Sequence, residues 1–155
     1  MWRISAVLQI VLCLQARAAV TQPEQPLIAF NVMNLTAKAE TLSHRVEYNF
    51  LVQTSRSAPV VQCNALQTNL NESLSNVSMT SCDSNSGLSF SWRQFGDGHA
   101  ELMLLRKVSD TLPVRDVGVH PISSDEIGEV ASGTQFEHQA YLGPTNFTVP
   151  AVRVY

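Results

Sequence analysis

The sequence predicts an all-β domain of short antiparallel strands. Three features carry that prediction: strict alternation of apolar and polar residues in "RVEYNFLVQ" and "GLSFSWRQF", a glycine-rich hairpin signal "GDGH" directly after the second, and poor helical signals elsewhere. Many short strands at a spacing of about 8 to 12 residues fit an antiparallel sandwich or a barrel, and pattern alone does not separate the two.

The chain begins "MWRISAVLQIVLCLQARAAVTQ". Arg3 stands near the start, an apolar run from Ile4 to Leu14 is broken only by Ser5 and Gln9, and small residues follow at Ala16 and Ala18. This pattern is that of a secretory signal peptide over residues 1–18, with the mature N-terminus near Ala19 or Val20. The run is too short to cross a bilayer, and no later stretch approaches the roughly 20 apolar residues that a spanning helix needs. Residues 19–155 are therefore expected to be secreted as one soluble domain with one core, about 136 residues being a suitable length for it.

Strand candidates follow in order. Leu27 to Met33 is the first. In "RVEYNFLVQ", Val46, Tyr48, Phe50 and Val52 share one face, Arg45, Glu47, Asn49 and Gln53 share the other, and Leu51 alone is out of pattern. Ala58 to Asn64 comes next and leads into a polar segment closed by two cysteines, "CNALQTNLNESLSNVSMTSC". Cleavage removes Cys13, which leaves Cys63 and Cys82 to pair in an oxidising compartment. A loop of this size gives about 3 kcal/mol in the chain-entropy model. A metal or redox pair would need closer spacing or neighbouring histidines.

The interior of that segment carries two N-x-S/T sequons, at Asn71 and Asn76, and two more occur at Asn34 and Asn146. In an exported chain they predict N-glycans at some of these positions, and a glycan must face water. The segment is therefore expected to be a surface excursion whose ends are tied down.

Beyond it, Leu88, Phe90 and Trp92 are predicted to face inward and Ser89, Ser91 and Arg93 outward. The turn Gly96 to His99 then leads to the strand-like "HAELMLLRKV". Val114 to His120, Thr134 to Leu142 and Phe147 to Val154 complete the strands. "SSDEIGEVASG" has acidic residues after two serines, as an N-cap would, but Gly128 and Gly133 limit it to one short helical turn.

Net charge is −3 with no charged block, so nothing draws the chain to nucleic acid or to an anionic membrane. Catalytic signatures are missing: there is no G-x-S-x-G, H-E-x-x-H, phosphate-binding glycine loop or C-x-x-C. His44, His99, His120 and His138 stand next to turns or at polar positions. Asp97 with Glu101, or Asp125 with Glu126, are read as turn and edge carboxylates in preference to a hydrolytic pair. No catalytic residue, metal ligand or cofactor is expected. An apolar cavity lined by Phe50, Phe90 and Trp92 would favour a carrier of small ligands, although such side chains are more often core.

The segments "IAFNVMNL" through "HRVEYNFLVQ", "VVQCNA", the later "SC", "GLSFSWRQFGDGHAELMLLRKVS" and "YLGPTNFTVP" resemble, in order over residues 27–150, the Alternaria major allergen family of small secreted fungal β-barrel proteins. The resemblance implies a single antiparallel β-barrel, no known catalytic residues, and a Cys63–Cys82 bridge equivalent to a family disulfide. It implies an allergen, elicitor or host-directed effector whose partner is a host or environmental extracellular protein or a small phenolic ligand. This chain lacks the family's second C-terminal cysteine pair and the N-terminal cysteine that links allergen protomers, which argues against a covalent dimer. Two classes of function follow: a secreted binding or effector protein acting through its surface, and an extracellular carrier of small apolar or phenolic ligands or an unrecognised hydrolase.

Overall fold

The computed structural model describes residues 28–155, except 41–42, 72, 84 and 132–136. The expected signal segment, the first residue of the first predicted strand and part of the segment from Thr134 lie outside the described residues. Among the described residues ten strands form one antiparallel sheet: β1 (Ile28–Glu40), β2 (Arg45–Gln53), β3 (Val61–Thr68), β4 (Val77–Ser81), β5 (Leu88–Gln94), β6 (Ala100–Lys107), β7 (Arg115–Ile122), β8 (Ile127–Ala131), β9 (Glu137–Tyr141) and β10 (Phe147–Val154). Their spatial order is β3-β2-β1-β10-β7-β6-β5-β4, with the β8–β9 hairpin attached to β1 through β9. The sheet curls into a nearly closed barrel, so the barrel expectation holds.

Alternation sets which side chains fill it. Val46, Tyr48, Phe50 and Val52 of β2 are buried, as are Leu88, Phe90 and Trp92 of β5. Fully burying side chains of this size contributes about 1.5 to 3 kcal/mol each. The β5–β6 hairpin forms where the glycines predict it: Gly98 has φ +88 and donates its N–H to the Phe95 carbonyl at 3.0 Å. A residue with a β-carbon would be strained there. Gly118 serves packing instead, because a β-carbon at this buried position on β7 would stand 3.0 Å from both the Phe30 ring and the Pro150 carbonyl oxygen.

β1 is longer than its sequence pattern indicates. Its inward residues are Phe30 and Val32, then Leu35, Ala37 and Ala39. The parity changes at a register shift between Met33 and Thr36, where Asn34 adopts φ 56. An inserted residue of this kind reverses the faces of everything after it. β4 is a second departure, a short strand inside the segment expected to be an excursion, and Leu74 and Val77 are buried.

The predicted helical turn is limited to Ser124–Glu126, a single 3-10 turn in which the Glu126 carboxylate accepts the Ser123 N–H at 2.9 Å. The residues after it form β8, which pairs with β9 from Ile127↔Tyr141 to Ala131↔Glu137. Among the described residues no helix is long and apolar enough to cross a membrane.

Candidate functional site

β3 and β4 stand at the two ends of the sheet order. Cys63 on β3 and Cys82, the residue after β4, form a disulfide across the seam between them. Two hydrogen bonds support it: the Asp83 N–H donates to the Gln62 carbonyl at 2.9 Å, and the Gln62 N–H donates to the Asp83 carboxylate at 3.2 Å. The bridge thus stands in for strand pairing where the curled sheet fails to close, and both cysteines are buried.

Leu74 and Ser75, between β3 and β4, pack onto the barrel, and Leu74 is buried. The Tyr48 hydroxyl donates to the Ser75 carbonyl at 2.5 Å and accepts the Ser75 N–H at 2.9 Å. Burial pushes the Tyr48 phenol up to about 12, against the opposing effect of these bonds. The Gln139 side-chain oxygen accepts the Leu74 N–H at 2.8 Å, which ties the loop to β9. Tyr141, at the end of the same strand, meets the Trp92 ring edge-on at 6.2 Å.

All four sequon asparagines are exposed. Asn71 and Asn76 lie between β3 and β4. Asn34 and Asn146 are neighbours, since the Asn34 N–H donates to the Asn146 side-chain oxygen at 3.1 Å. Asn76 also accepts the Gln94 N–H at 2.6 Å through its side-chain oxygen, so its amide nitrogen is not used in that bond.

The histidines stand on separate segments. His44 occupies a turn at φ 51, and His138 lies on β9 opposite Val130. His99 stacks on Phe95 with ring centres 4.3 Å apart, and its Nδ1 contacts the Asp97 carboxylate. His120 faces inward and stacks on Phe147 at 3.9 Å, with a buried Nε2 that has no hydrogen-bond partner among the described residues. Burial lowers its pKa against the attraction of Glu126.

The carboxylates weighed as hydrolytic pairs have separate surroundings. Glu101 stands opposite Arg93, Asp97 is engaged with His99, and hydrogen bonding from Ser123 holds Asp125 below the usual carboxylate range. Among the described residues no group of three or more His, Cys, Asp or Glu is placed to hold a metal ion.

One cluster escapes the sequence reading. Asp116 on β7 is fully buried and accepts hydrogen bonds from Arg106 on β6 and Arg153 on β10, its cross-strand partners on either side. The Arg106 Nε and Nη2 lie 3.0 and 2.5 Å from one carboxylate oxygen, and the Arg153 Nε lies 2.9 Å from the other. Burial opposes ionisation of Asp116, but bonds from Arg153 and Arg106 outweigh it and hold the carboxyl below its usual value. The cluster is structural in character: a charge pulled from water is matched by two others.

The three aromatic residues considered as a cavity lining are instead packed against other rings. Phe50 meets Phe90 edge-on at 4.9 Å, and Trp92 lies 5.2 Å from Tyr48. All are almost inaccessible to solvent.

No protein-family model matches the chain, and no curated protein matches it in sequence. Among solved structures, the chain is similar to the crystal structure of the Alternaria alternata allergen Alt a 1, at TM-score 0.55 and 18% identity over 81% of this chain and 88% of the other. A second crystal structure, of the Alternaria alternata major allergen Alt a 1, matches at TM-score 0.50 and 13% identity over 81% of this chain and 94% of the other. At these identities the likeness establishes the fold, and the chain is built as an Alt a 1-like β-barrel.

Proposed function

We propose that the protein is a secreted, allergen-like binding protein of the fungal effector or elicitor kind, which acts outside the cell through its outer surface and catalyses no reaction. The observation that carries this reading is the filled interior. Tyr48, Phe50, Phe90 and Trp92 occupy the middle of the barrel by packing on one another, which leaves recognition to the exterior. The buried disulfide and the four exposed sequon asparagines support export and glycosylation. The solved proteins that share the fold are described as allergens.

The test is to apply the mature, folded protein to plant leaf tissue and to plant extracellular proteins. Binding or a defence response should appear, should vanish on reduction and unfolding, and should survive simultaneous substitution of His44, His99, His120 and His138 by Gln in a protein whose circular dichroism is unchanged. General acid–base chemistry loses about 10²- to 10⁴-fold with its histidine, whereas a binding surface spreads its energy over many residues. A hydrolytic turnover that the quadruple variant loses while it stays folded would replace this reading with an enzyme.

A further inference from the structure

The outer face of the sheet carries a groove of about 600 Å3 across β4, β5, β6 and β7. Met79 and Leu105 supply apolar floor with Ser89; Asn85 and Gly87 form a wall, and Lys107 and Arg115 stand at one end. Met79 leaves 47% of its surface in water. The wall is fixed to the strand beside it, because the Lys107 N–H donates to the Gly87 carbonyl at 2.8 Å.

The two cations are the unusual part. Lys107 and Arg115 are direct partners in the register of β6 and β7. Like charges facing each other across an antiparallel pair repel. Lys107 is partly answered by the exposed Asp110 carboxylate at 2.9 Å, whereas Arg115 has no ion pair or hydrogen bond from its side chain among the described residues. The next inward pair, Arg106 and Asp116, points to the other side of the sheet and offers Arg115 nothing. Asp83, at the groove's wall, keeps its carboxylate on the Gln62 N–H. The groove is therefore asymmetric, with a site for negative charge at one end and an apolar floor beside it.

We propose that this groove binds a small amphipathic anion, with a carboxylate head between Lys107 and Arg115 and an apolar or aromatic body over Leu105 and Met79. A carboxylate there relieves the Lys107–Arg115 repulsion and gains charge-assisted hydrogen bonds, while its body covers apolar surface otherwise left wet. The site is on the outside of the barrel and is independent of the protein-partner reading.

The experiment titrates the mature protein with 2-naphthoate and, separately, with the neutral 2-naphthamide at low ionic strength, followed by calorimetry or by chemical shifts. Naphthoate should bind saturably with Kd under about 1 mM, and the amide at least about tenfold more weakly, a difference of about 1.4 kcal/mol. The Lys107→Gln/Arg115→Gln variant should bind naphthoate no better than the amide, Leu105→Asp should abolish binding of both, and Arg93→Gln, four residues along β5 from Ser89, should change nothing. All these positions are at least partly exposed, and circular dichroism confirms folding. The proposal is overturned by equal binding of acid and amide, by naphthoate binding that survives loss of both cations, or by no saturable binding. It is also overturned if hexaglutamate binds while naphthoate does not, since that result assigns the cations to an acidic protein segment.

Discussion

Cys63 and Cys82 join β3 to the end of β4, two strands that do not pair in the sheet, so the disulfide spans the seam of the barrel and not merely a loop. Without it the two edge strands are held by the short bonds of Gln62 with Asp83. Thiol titration of the denatured, non-reduced mature protein should therefore find no free sulfhydryl. The Cys63→Ser/Cys82→Ser variant should lose about 3 kcal/mol in urea unfolding, and amides of β3 and β4 should lose hydrogen-exchange protection before those of β1 and β10. Uniform loss of protection along the sheet would mean that the bridge does not hold the seam.

The strands read most cleanly from the sequence are those whose two faces differ without interruption, β2 and β5. The alternation of β1 ends at Met33 because the bulge at Asn34 reverses its phase, and the inward residues Ala37 and Ala39 beyond it have weak strand propensity. β4 is hidden in a sequon-rich stretch where Val77 is its lone buried apolar residue, and β8 follows a helical start signal, so pairing with β5 and β9 decides both. The Arg106–Asp116–Arg153 cluster is scattered in sequence and assembled by the order β6-β7-β10. The signal that could have exposed it is parity: Asp116 and Arg106 fall on the buried face of otherwise alternating strands.

Trp92 and Arg93 are adjacent residues with opposite exposure, the first 1% exposed and the second on the outer face. Trp92→Ala should destabilise the protein by about 3 to 5 kcal/mol through lost transfer energy and the cavity left among Tyr48 and Tyr141. Arg93→Ala removes a guanidinium that lies 4.7 Å from the centre of the Phe95 ring, and should cost no more than about 1 kcal/mol. Chemical unfolding of both variants makes the comparison, and similar costs would contradict the register of β5.

Removing one member of the Asp116 cluster should cost more than removing all its charges. Asp116→Asn leaves Arg106 and Arg153 facing each other and should cost about 3 kcal/mol, whereas Arg106→Met, Asp116→Leu and Arg153→Met together should be nearly neutral. The pH dependence has a definite sign. The folded carboxyl is held below its ordinary 3.8, so its contribution is complete above that value and is lost as pH falls through the folded pKa. Asp116→Asn should therefore flatten the stability curve below about pH 4. An unchanged acid limb in that variant would show that Asp116 is not the titrating group.

His120 should weaken the fold at a higher and separate pH. Its imidazole is stacked on Phe147 with Nε2 buried and unpartnered, and burial lowers its pKa from 6.5 despite the nearby Glu126. The unfolded chain then takes up a proton that the folded barrel resists. Stability is complete above about 6.5 and falls as pH drops from there toward the folded pKa, a direction opposite to that of a histidine gaining a carboxylate partner. His120→Phe retains an aromatic ring against Phe147 and removes the titration. Its unfolding free energy should decline less than that of the unaltered protein between pH 7.5 and pH 5. Parallel declines from pH 7.5 to pH 5 would sink the assignment, because the ring would then exchange its proton equally in both states.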